Sequence, residues 1–435
     1  MREILELVLA EALTRPFPQL TKRDARLPRV AGKVMAVIGV RRGGKTSFLW
    51  QCLADRFAAG RPRDSLILLG LEDDRLDGIT VADLSWLVEE YFRRFPGRRD
   101  ATTVTLCLDE IQVVPGWEKL VRRLVDTEEM ELLVSGSSAR LLSSEIATSM
   151  RGRAMDVLVY PFSFREALRH AGEEPTKPWT SMARAGRSRL DARLRAYLTV
   201  GGFPEAQGLE ALDRFRLLRG YVDVMVLRDV IERHAVTNPL ALRWLQRELL
   251  SSPAGAFSIN KCFNTLKSQG VAVSKDTLHA YLAHLEDAFL IRTVALHTAS
   301  ERQRMVHPRK AYPIDQGMIA LFQRTAAPQT GHALETAVLL HLERAHYTLG
   351  YVRTSDGYEV DFHASRPGAD TLLVQVCASA SDTATLAREL RALAHVRQNY
   401  PEARALLVTM DADPPGTDLP EGVEWMPAAR FLLEE

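Results

Sequence analysis

A glycine-rich stretch is the feature of this sequence that points most directly to chemistry. It reads GVRRGGKT at 39–46, continues the apolar run VMAVIGV at 34–40, and opens a segment whose apolar residues recur at helical spacing. In such a loop, glycines let backbone N–H groups approach phosphates at a helix N-terminus, Lys45 reaches the outer phosphates, and Thr46 offers a hydroxyl to Mg²⁺. The predicted nucleotide ligands in this loop are Gly39, Arg42, Gly43, Gly44, Lys45, Thr46 and Ser47.

Two adjacent carboxylates end another apolar run, LCLDE at 106–110. Phosphoryl transfer needs a metal-bound nucleotide and a positioned water, so we expect Asp109 to join Thr46 in holding Mg²⁺ and Glu110 to orient or deprotonate the water. The alternative is a solvated acidic turn, but the position of the pair, two strand runs after the loop, favours catalysis. ATP and Mg²⁺ are therefore the predicted cofactors.

The elements that must position these residues alternate between buried-strand runs and helical segments. The strand runs lie at 34–40, 65–71, 104–110, 131–137 and 155–160, and this order predicts an α/β fold with a parallel sheet flanked by helices. Residues 163–234 show no comparable strand run and are expected to be helical. Three helix-sized pieces at 240–250, 259–269 and 275–288 precede an apolar strand, and the last hundred residues mix helices and strands again.

The composition is that of a folded protein with several domains. The chain has 435 residues, 46% apolar and 26% charged, and its net charge of +1 provides no global attraction for nucleic acid. Its four cysteines form no CxxC pair, which argues against a cysteine zinc site or a disulfide framework. No apolar run is long enough to span a membrane and the N-terminus is acidic, so we expect a cytoplasmic protein without a membrane partner.

Several motifs in order along the chain resemble one group of ATPases. They are GVRRGGKTSFLWQ, LCLDEIQ, LVSGSSARLL, the RGR at 151–153 before YPFSFREAL, GGFPEA and RDVIER. Together they resemble the archaeal-type AAA ATPases, which are relatives of the STAND nucleotide-switch proteins. Further on, KAYPIDQG, GHALE and GYEVDF resemble the C-terminal domain of unknown function that often accompanies this core.

The resemblance implies roles for residues outside the phosphate loop. Ser137 or Ser138 would sense the γ-phosphate, Arg153 or Arg151 would reach the nucleotide of a neighbouring subunit, and Gly202 with Pro204 would form a turn that packs on adenine. The simpler alternatives are a serine-rich turn, a solvated arginine and a helix-breaking turn. An arginine that acts in trans implies a homo-oligomer, by analogy a hexamer.

The unit of three helices and a strand at 240–300 looks like a winged helix, which often places its third helix in the DNA major groove. In that helix Leu278, Tyr281, Leu282 and Leu285 are expected to be buried. Two groups of residues are then the candidate DNA contacts: Lys275, Thr277, His279 and His284 on the helix, and Arg302, Arg304, Arg309 and Lys310 in the basic run that comes next. Asp276 would repel phosphates, and a protein-binding module is the open alternative.

The C-terminal region resembles the PD-(D/E)xK nuclease core, whose chemistry needs carboxylates on Mg²⁺ and a lysine beside the attacking water. Glu335 and Asp361 match this pattern, but Gln375 and Cys377 stand where a glutamate and the lysine belong. We therefore expect a nuclease-like domain that does not cleave and serves binding or assembly.

The predicted architecture is a P-loop AAA-type ATPase core with a helical lid, a winged helix and a restriction-endonuclease-like α/β C-terminal domain. Its predicted divisions are a lead-in helix at 1–30, the core at 31–162, the lid at 163–238, the winged helix at 239–310 and the C-terminal domain at 311–435. The predicted function is Mg-ATP hydrolysis coupled to DNA binding, remodelling or translocation. A STAND-like nucleotide-dependent switch that binds protein is the alternative, and a metal-dependent nuclease is less favoured.

Overall fold

The computed structural model describes residues 1–28, 30, 32–99, 104–136, 152–323, 329–380 and 382–434. The chain divides into two compact units, Met1–Tyr160 and Pro161–Glu435. Among the described residues, no helix combines the length and the apolar character needed to cross a membrane. The four cysteines are all buried and carry free thiols.

The first unit is built on a five-stranded parallel sheet with the strand order β2-β3-β4-β1-β5. The prediction of a parallel sheet is thereby confirmed. The buried residues of β1 and β3 form continuous runs, because helices cover both faces of such a sheet. The strands are β1 (Val34–Ile38), β2 (Leu66–Gly70), β3 (Val104–Asp109), β4 (Met130–Gly136) and β5 (Ala154–Leu158).

The order of these strands positions the candidate site. Strand β4 lies between β1, which leads into the phosphate loop, and β3, which ends at Asp109. The carboxyl ends of parallel strands meet at one edge, where α/β proteins bind ligands. The described helices of this unit are α1 (Arg2–Thr14), α2 (Lys45–Ala58), α3 (Val81–Arg94) and α4 (Trp117–Thr127).

The second unit begins with helices, as expected for residues 163–234. All of residues 163–238 are described, and they contain no strand. The segment ends in a π-helix, Met225–Glu232, that continues the preceding helix directly. The helices are α5 (Phe164–His170), α6 (Arg184–Val200) and α7 (Ala211–Val224).

Four further helices accompany a small sheet of order β6-β8-β7. The first three lie where the sequence predicted helices, and the buried residues of the third are the four that were expected. The winged-helix assignment itself stays a prediction, and its predicted boundary at residue 310 falls inside β8. The elements are α8 (Pro239–Ser251), β6 (Ala256–Phe257), α9 (Ile259–Ser268), α10 (Lys275–Asp287), β7 (Ile291–Val294), α11 (Glu301–Val306) and β8 (Arg309–Pro313).

The C-terminal part contains a mixed five-stranded sheet of order β13-β12-β11-β10-β9, in which β9, β10 and β11 pair antiparallel and β11, β12 and β13 parallel. Its apolar residues form two buried clusters, one containing Phe362 and the other Leu373. The nuclease-like assignment stays a prediction. The elements are α12 (Thr330–Arg344), β9 (Thr348–Arg353), β10 (Glu359–Ser365), β11 (Leu372–Cys377), α13 (Thr383–Arg397), β12 (Arg404–Thr409), β13 (Val423–Pro427) and α14 (Ala428–Phe431).

Candidate functional site

The glycine-rich loop turns where only glycine fits. Gly39 has φ +149°, and a Cβ placed on it would lie 2.2 Å from the carbonyl oxygen of Val159. Gly44 has φ +102° and is the N-cap of α2, so the first backbone N–H groups of this helix are not hydrogen-bonded within the helix. These N–H groups and the helix dipole form an environment suited to a phosphate.

A buried arginine, Arg23, supports the phosphate loop through hydrogen bonds to the backbone. This role was not predicted from the sequence. The guanidinium of Arg23 donates to the carbonyl oxygen of Gly43 at 2.9 Å and to that of Tyr160. The backbone of Arg23 is fixed in turn by the side chain of Gln51 on α2, with hydrogen bonds of 2.6 and 3.1 Å. An arginine in an irregular basic segment gives no sequence signal, since its partners are main-chain carbonyls far along the chain.

Lys45 folds back over the loop. Its ammonium lies 3.2 Å from the carbonyl oxygen of Gly39, 3.3 Å from that of Val40 and 3.5 Å from the carboxylate of Glu110, and its side chain is buried. The two carbonyls and the carboxylate hold one cation at the mouth of the loop. The predicted residues of the loop and of the acidic pair therefore converge.

The metal ligands predicted from sequence are in direct contact. Thr46 Oγ1 donates to Asp109 Oδ2 at 2.6 Å, and Asp109 is only 6% exposed while Thr46 is open to solvent. Burial raises the pKa of Asp109, and the hydrogen bonds from Ser135 and Thr46 oppose that rise. One hydroxyl and one carboxylate are thus paired at the sheet edge.

Ser135 is a second residue that sequence reasoning missed. It lies in β4, is fully buried, donates a hydrogen bond to Asp109 Oδ1 and accepts the backbone N–H of Glu110 at 2.9 Å. One hydroxyl therefore fixes both members of the acidic pair. The available signal is that Ser135 is a small polar residue inside an otherwise apolar strand.

Glu110 adopts a left-handed backbone conformation with φ +55° at the end of β3. Its carboxylate accepts a hydrogen bond of 2.5 Å from Gln112 Nε2 and remains close to Lys45. A non-glycine residue at positive φ is uncommon and is favoured where a side chain must be aimed. The conformation directs Glu110 toward the phosphate loop.

The residues predicted by resemblance have different outcomes. Ser137, Ser138 and Arg151 lie outside the described residues. Arg153 is half-exposed, its side chain lies 3.1 Å from Asp126, and its carbonyl oxygen accepts the N–H of Val34. Its action on a neighbouring subunit stays a prediction.

The turn that contains Gly202 and Pro204 belongs to the second unit. A Cβ on Gly202 would lie 2.2 Å from the carbonyl oxygen of Phe162, and the N–H of Gly202 donates to Asp315 Oδ2 at 2.6 Å. Asp315 also accepts the N–H of Gly317 at 2.9 Å, and its burial raises its pKa to about 6. Close packing accounts for the glycine, so contact with adenine stays a prediction.

The predicted DNA-binding residues on α10 differ in accessibility. Lys275 and His279 are exposed and Thr277 is half-buried. His284 is also half-buried, and its ring stacks on that of His234 with centroids 3.7 Å apart and planes at 11°. Its environment therefore differs from that of the exposed residues.

The residues of the basic run after this helix also differ in their exposure to solvent. Arg302 and Arg304 are exposed on α11, with Arg304 paired to Glu301 at 2.8 Å, and Arg309 is half-buried on β8. Lys310 is only 4% exposed, which contradicts its prediction as a DNA contact. The reason is that its ammonium faces inward to three carboxylates, Asp361 at 2.9 Å, Glu359 at 3.0 Å and Glu335 at 3.4 Å.

This carboxylate cluster lines a cavity of about 370 Å³. Gln375 Nε2 donates to Asp361 at 3.0 Å and to Glu389 at 2.7 Å, while the thiol of Cys377 points to the carbonyl oxygen of Ser379. Burial and the charge of Asp361 raise the pKa of Glu335 to about 8. No lysine stands at the expected position in the sequence, but the fold supplies Lys310 from β8.

Comparison with known proteins adds family relationships to this geometry. The family described as AAA domain matches residues 31–168, and a domain of unknown function, DUF8612, matches residues 191–329. The chain is 33% identical over 379 residues to an uncharacterized protein of Methanocaldococcus jannaschii, and the aligned region covers 86% of this chain and 81% of that protein. An uncharacterized protein of Haemophilus influenzae is 29% identical over 381 residues, covering 86% of this chain and 88% of that protein.

Among solved structures, the chain is similar to the Walker-type ATPase PABY2304 of Pyrococcus abyssi. The TM-score is 0.42 at 16% identity, with 74% of this chain and 95% of that chain covered.

Proposed function

This chain belongs to the family of AAA-domain proteins that includes the Methanocaldococcus jannaschii relative, and we propose that it is an ATPase that hydrolyses ATP to ADP and phosphate. The observation that carries the proposal is the convergence of Lys45, Thr46, Asp109 and Glu110 at one edge of the sheet, with Ser135 joining the two acidic residues. The order of the strands brings these residues together from distant parts of the sequence, and the contacts among them support the assignment of a nucleotide site.

The groups present fit Mg²⁺, because Thr46 and Asp109 present hard oxygen donors 2.6 Å apart at the end of the phosphate loop. When bound there, Mg²⁺ would neutralise charge on the phosphate oxygens. The raised pKa of Asp109 is compatible with this role, since a cation favours the ionised carboxylate that burial disfavours.

The remaining steps belong to the residues of the chain. Backbone N–H groups at the start of α2 bind the phosphates, and the ammonium of Lys45 leaves its carbonyl partners to contact the outer phosphate oxygens. Glu110 loses Lys45 as its neighbour in that state, so its carboxylate becomes available to accept a proton from the attacking water. Gln112 keeps the carboxylate of Glu110 oriented meanwhile.

The test compares two variants that fail at different steps. Lys45→Ala should lose nucleotide binding, whereas Glu110→Gln should keep ATP bound and lower turnover by at least about 100-fold, because only the second residue acts on the water. Nucleotide affinity and steady-state phosphate release are measured for each. Lys119→Ala and Glu129→Gln are matched controls, because both residues lie in the same unit and outside the phosphate loop and the acidic pair.

Normal turnover by Glu110→Gln would contradict the catalytic assignment. Normal ATP affinity in Lys45→Ala would contradict the nucleotide site itself. Either loss in a control variant would point to general damage to the first unit.

We further propose that hydrolysis is coupled to DNA through the segment at 239–310. The support is a helix, α10, whose exposed Lys275 and His279 lie at its N-terminal half, followed by exposed Arg302 and Arg304. The alternative is a nucleotide-dependent switch that binds protein, and slow turnover with tight nucleotide retention would favour it. ATPase rates with and without duplex, single-stranded and branched DNA separate the two.

Cleavage of DNA by the carboxylate cluster remains the disfavoured function, although only one of the two reasons that the sequence indicated still applies. A lysine is present, but the ammonium of Lys310 lies against Asp361, Glu359 and Glu335, the acidic side chains that would otherwise be available to ligate a metal. Gln375 also contributes an amide to Asp361 where a carboxylate ligand would be needed. We expect no Mg²⁺-dependent cleavage of plasmid DNA by the purified chain.

A further inference from the structure

We propose that His234, His284 and Asp287 form a binding site for a first-row divalent transition metal, with Zn²⁺ as the cation that this ligand set suits best. One ligand atom from each residue lies within 4.8 Å of the others, and all three residues are half-buried. This site lies in the second unit and shares no residue with the phosphate loop.

The positions of the three residues in the fold explain their convergence. His284 and Asp287 are three residues apart on α10, a spacing that places them on one face of the helix. His234 comes from the turn after the π-helix Met225–Glu232, fifty residues earlier in sequence. The third candidate ligand, His234, is therefore not apparent from any local sequence motif.

Asn238, four residues after His234, makes hydrogen bonds that do not involve the ligands to α10 and to the segment that precedes it. The backbone N–H of Asn238 donates to the hydroxyl of Tyr281 at 3.1 Å, and Asn238 Nδ2 donates to the carbonyl oxygen of Ala272 at 2.9 Å. Tyr281 lies one turn before His284 on the same helix. The chain just after His234 is therefore held close to α10 by contacts that do not depend on a metal.

The donor types select the class of metal. Two imidazoles and a carboxylate suit Zn²⁺ and its first-row neighbours, while Mg²⁺ and Ca²⁺ require oxygen ligands. Three protein ligands leave a fourth tetrahedral position for water. A ligated metal lies in the plane of each imidazole, so the two stacked rings must turn out of their parallel arrangement when the metal binds.

The site would join the C-terminal half of α10 to the segment after the π-helix. Its expected effect is stabilisation of the second unit, since binding to the folded state alone favours that state. Because His284 is then a ligand, it is removed from the DNA-contact set, while Lys275 and His279 stay exposed on the preceding turns.

The test is titration of the untagged full-length protein with Zn²⁺ and Co²⁺ in excess Mg²⁺ at neutral pH. We expect one equivalent of each metal to bind, a visible Co²⁺ absorption band, and a rise in the melting temperature with Zn²⁺ that a chelator reverses. Replacing even an outer partner of a metal ligand weakens binding about 10–100-fold, so His284→Ala and Asp287→Asn should each weaken it by at least about tenfold. His279→Ala is the matched control and should bind as the unmodified protein does.

Asp287→Asn keeps the shape of the side chain, so it tests the site even if His284→Ala fails to fold. Unchanged affinity and an unchanged Co²⁺ spectrum in folded Asp287→Asn would overturn the proposal. Equal weakening by His279→Ala, or displacement of Zn²⁺ by millimolar Mg²⁺, would overturn it as well. ATP turnover is recorded in parallel. The Lys45→Ala variant should lose ATP turnover and still bind Zn²⁺, so a failure of the metal site and a failure of the proposed ATPase function can be distinguished.

Discussion

At the scale of single residues, Ser135 decides how the acidic pair is presented. Its hydroxyl donates to Asp109 and accepts the N–H of Glu110, so Ser135→Ala leaves Asp109 buried with one donor fewer. We expect turnover to fall about tenfold with little change in ATP affinity, since loss of one partner of a buried charged group costs about 1–3 kcal/mol. The measurements are kcat and KM for ATP.

The pH profile identifies the cause of that loss. Burial already raises the pKa of Asp109, and removal of the Ser135 hydrogen bond should raise it further, so the acidic limb of the rate profile should move to higher pH. Ser85→Ala is the control, because Ser85 accepts a hydrogen bond from Arg123 elsewhere in the first unit. An unmoved acidic limb in Ser135→Ala would show that Ser135 does not position Asp109.

The same residue shows what the sequence could and could not reveal. The loop, Asp109 and Glu110 were predictable because each side chain directly follows a strand run. The γ-phosphate sensor predicted at Ser137 or Ser138 lies outside the described residues and stays a prediction, whereas the contact with Asp109 comes from Ser135 inside β4 and was not predicted. Strand patterns do not show which face of a fully buried strand meets a neighbouring carboxylate, so that contact required the sheet order.

At the scale of elements, Asp315 connects two turns of the second unit, and its titration should be measurable. Its pKa is raised from 3.8 to about 6 by burial, so the folded state holds the proton more tightly than the unfolded chain. As the pH rises from about 4 to about 6, the unfolded chain ionises first, and the contribution of Asp315 to stability falls by about 3 kcal/mol before it levels off.

The Asp315→Asn variant has no carboxyl group to titrate at this position. As the pH rises from about 4 to about 7, its free energy of unfolding should therefore increase by about 3 kcal/mol relative to that of the unmodified protein. Urea unfolding at several pH values measures this difference. Asp413→Asn is the control, since Asp413 is an exposed aspartate in the same unit. A constant difference across this pH range would contradict the assignment of the titration to Asp315.

Most helices and strands were predictable because their hydrophobic patterns are long and because helix ends carry capping residues. The three helices at 239–287 lie where the sequence predicted them, and Ser274 caps α10 through the N–H of Thr277. Strands β9 and β13 are not evident in the sequence, because their alternation is short and includes charged residues. Lys310 was misplaced for a different reason: a basic run indicates solvent exposure only when no buried carboxylates lie beneath it.

At the scale of the whole molecule, the proposed action of Arg153 in trans requires more than one chain. Its ion pair with Asp126 joins two half-exposed side chains, and such pairs contribute about 0–1 kcal/mol, so the arginine is readily released to a neighbour. Arg153→Ala should bind ATP normally and turn over at least about tenfold more slowly, because an arginine finger acts on the transition state. Mixing it with Lys45→Ala subunits should restore part of the activity.

Asp126→Asn is the informative control for that experiment. It removes the partner of Arg153 and keeps the arginine, so turnover should stay close to that of the unmodified protein. Mixed-subunit rates and molar mass by light scattering are measured together. Full activity in a strictly monomeric preparation would contradict a role in trans.

The proposed coupling to DNA also concerns the whole chain, since its net charge of +1 leaves any DNA binding to local basic patches. With Lys310 buried and His284 half-buried, the contact set reduces to exposed residues such as Lys275, Arg302 and Arg304. If each of these three contacts a phosphate, changing all three to Ala should lower the slope of log affinity against log salt by about three, with similar losses across sequences. Basal ATP turnover should persist, because the phosphate loop belongs to the other unit.

A second basic cluster provides the matched control for charge. Arg93, Arg98 and Arg99 lie in the first unit and pair with Glu90, Asp64 and Glu89, so their replacement by Ala removes the same charge without touching α10 or α11. Fluorescence anisotropy with duplex DNA at several salt concentrations compares the two triple variants. An equal loss in both would indicate a nonspecific effect of charge. If Lys275, Arg302 and Arg304 can be removed without any change in affinity or salt slope, α10 and α11 are not the DNA-binding surface, and a nucleotide-dependent switch that binds protein becomes the better interpretation.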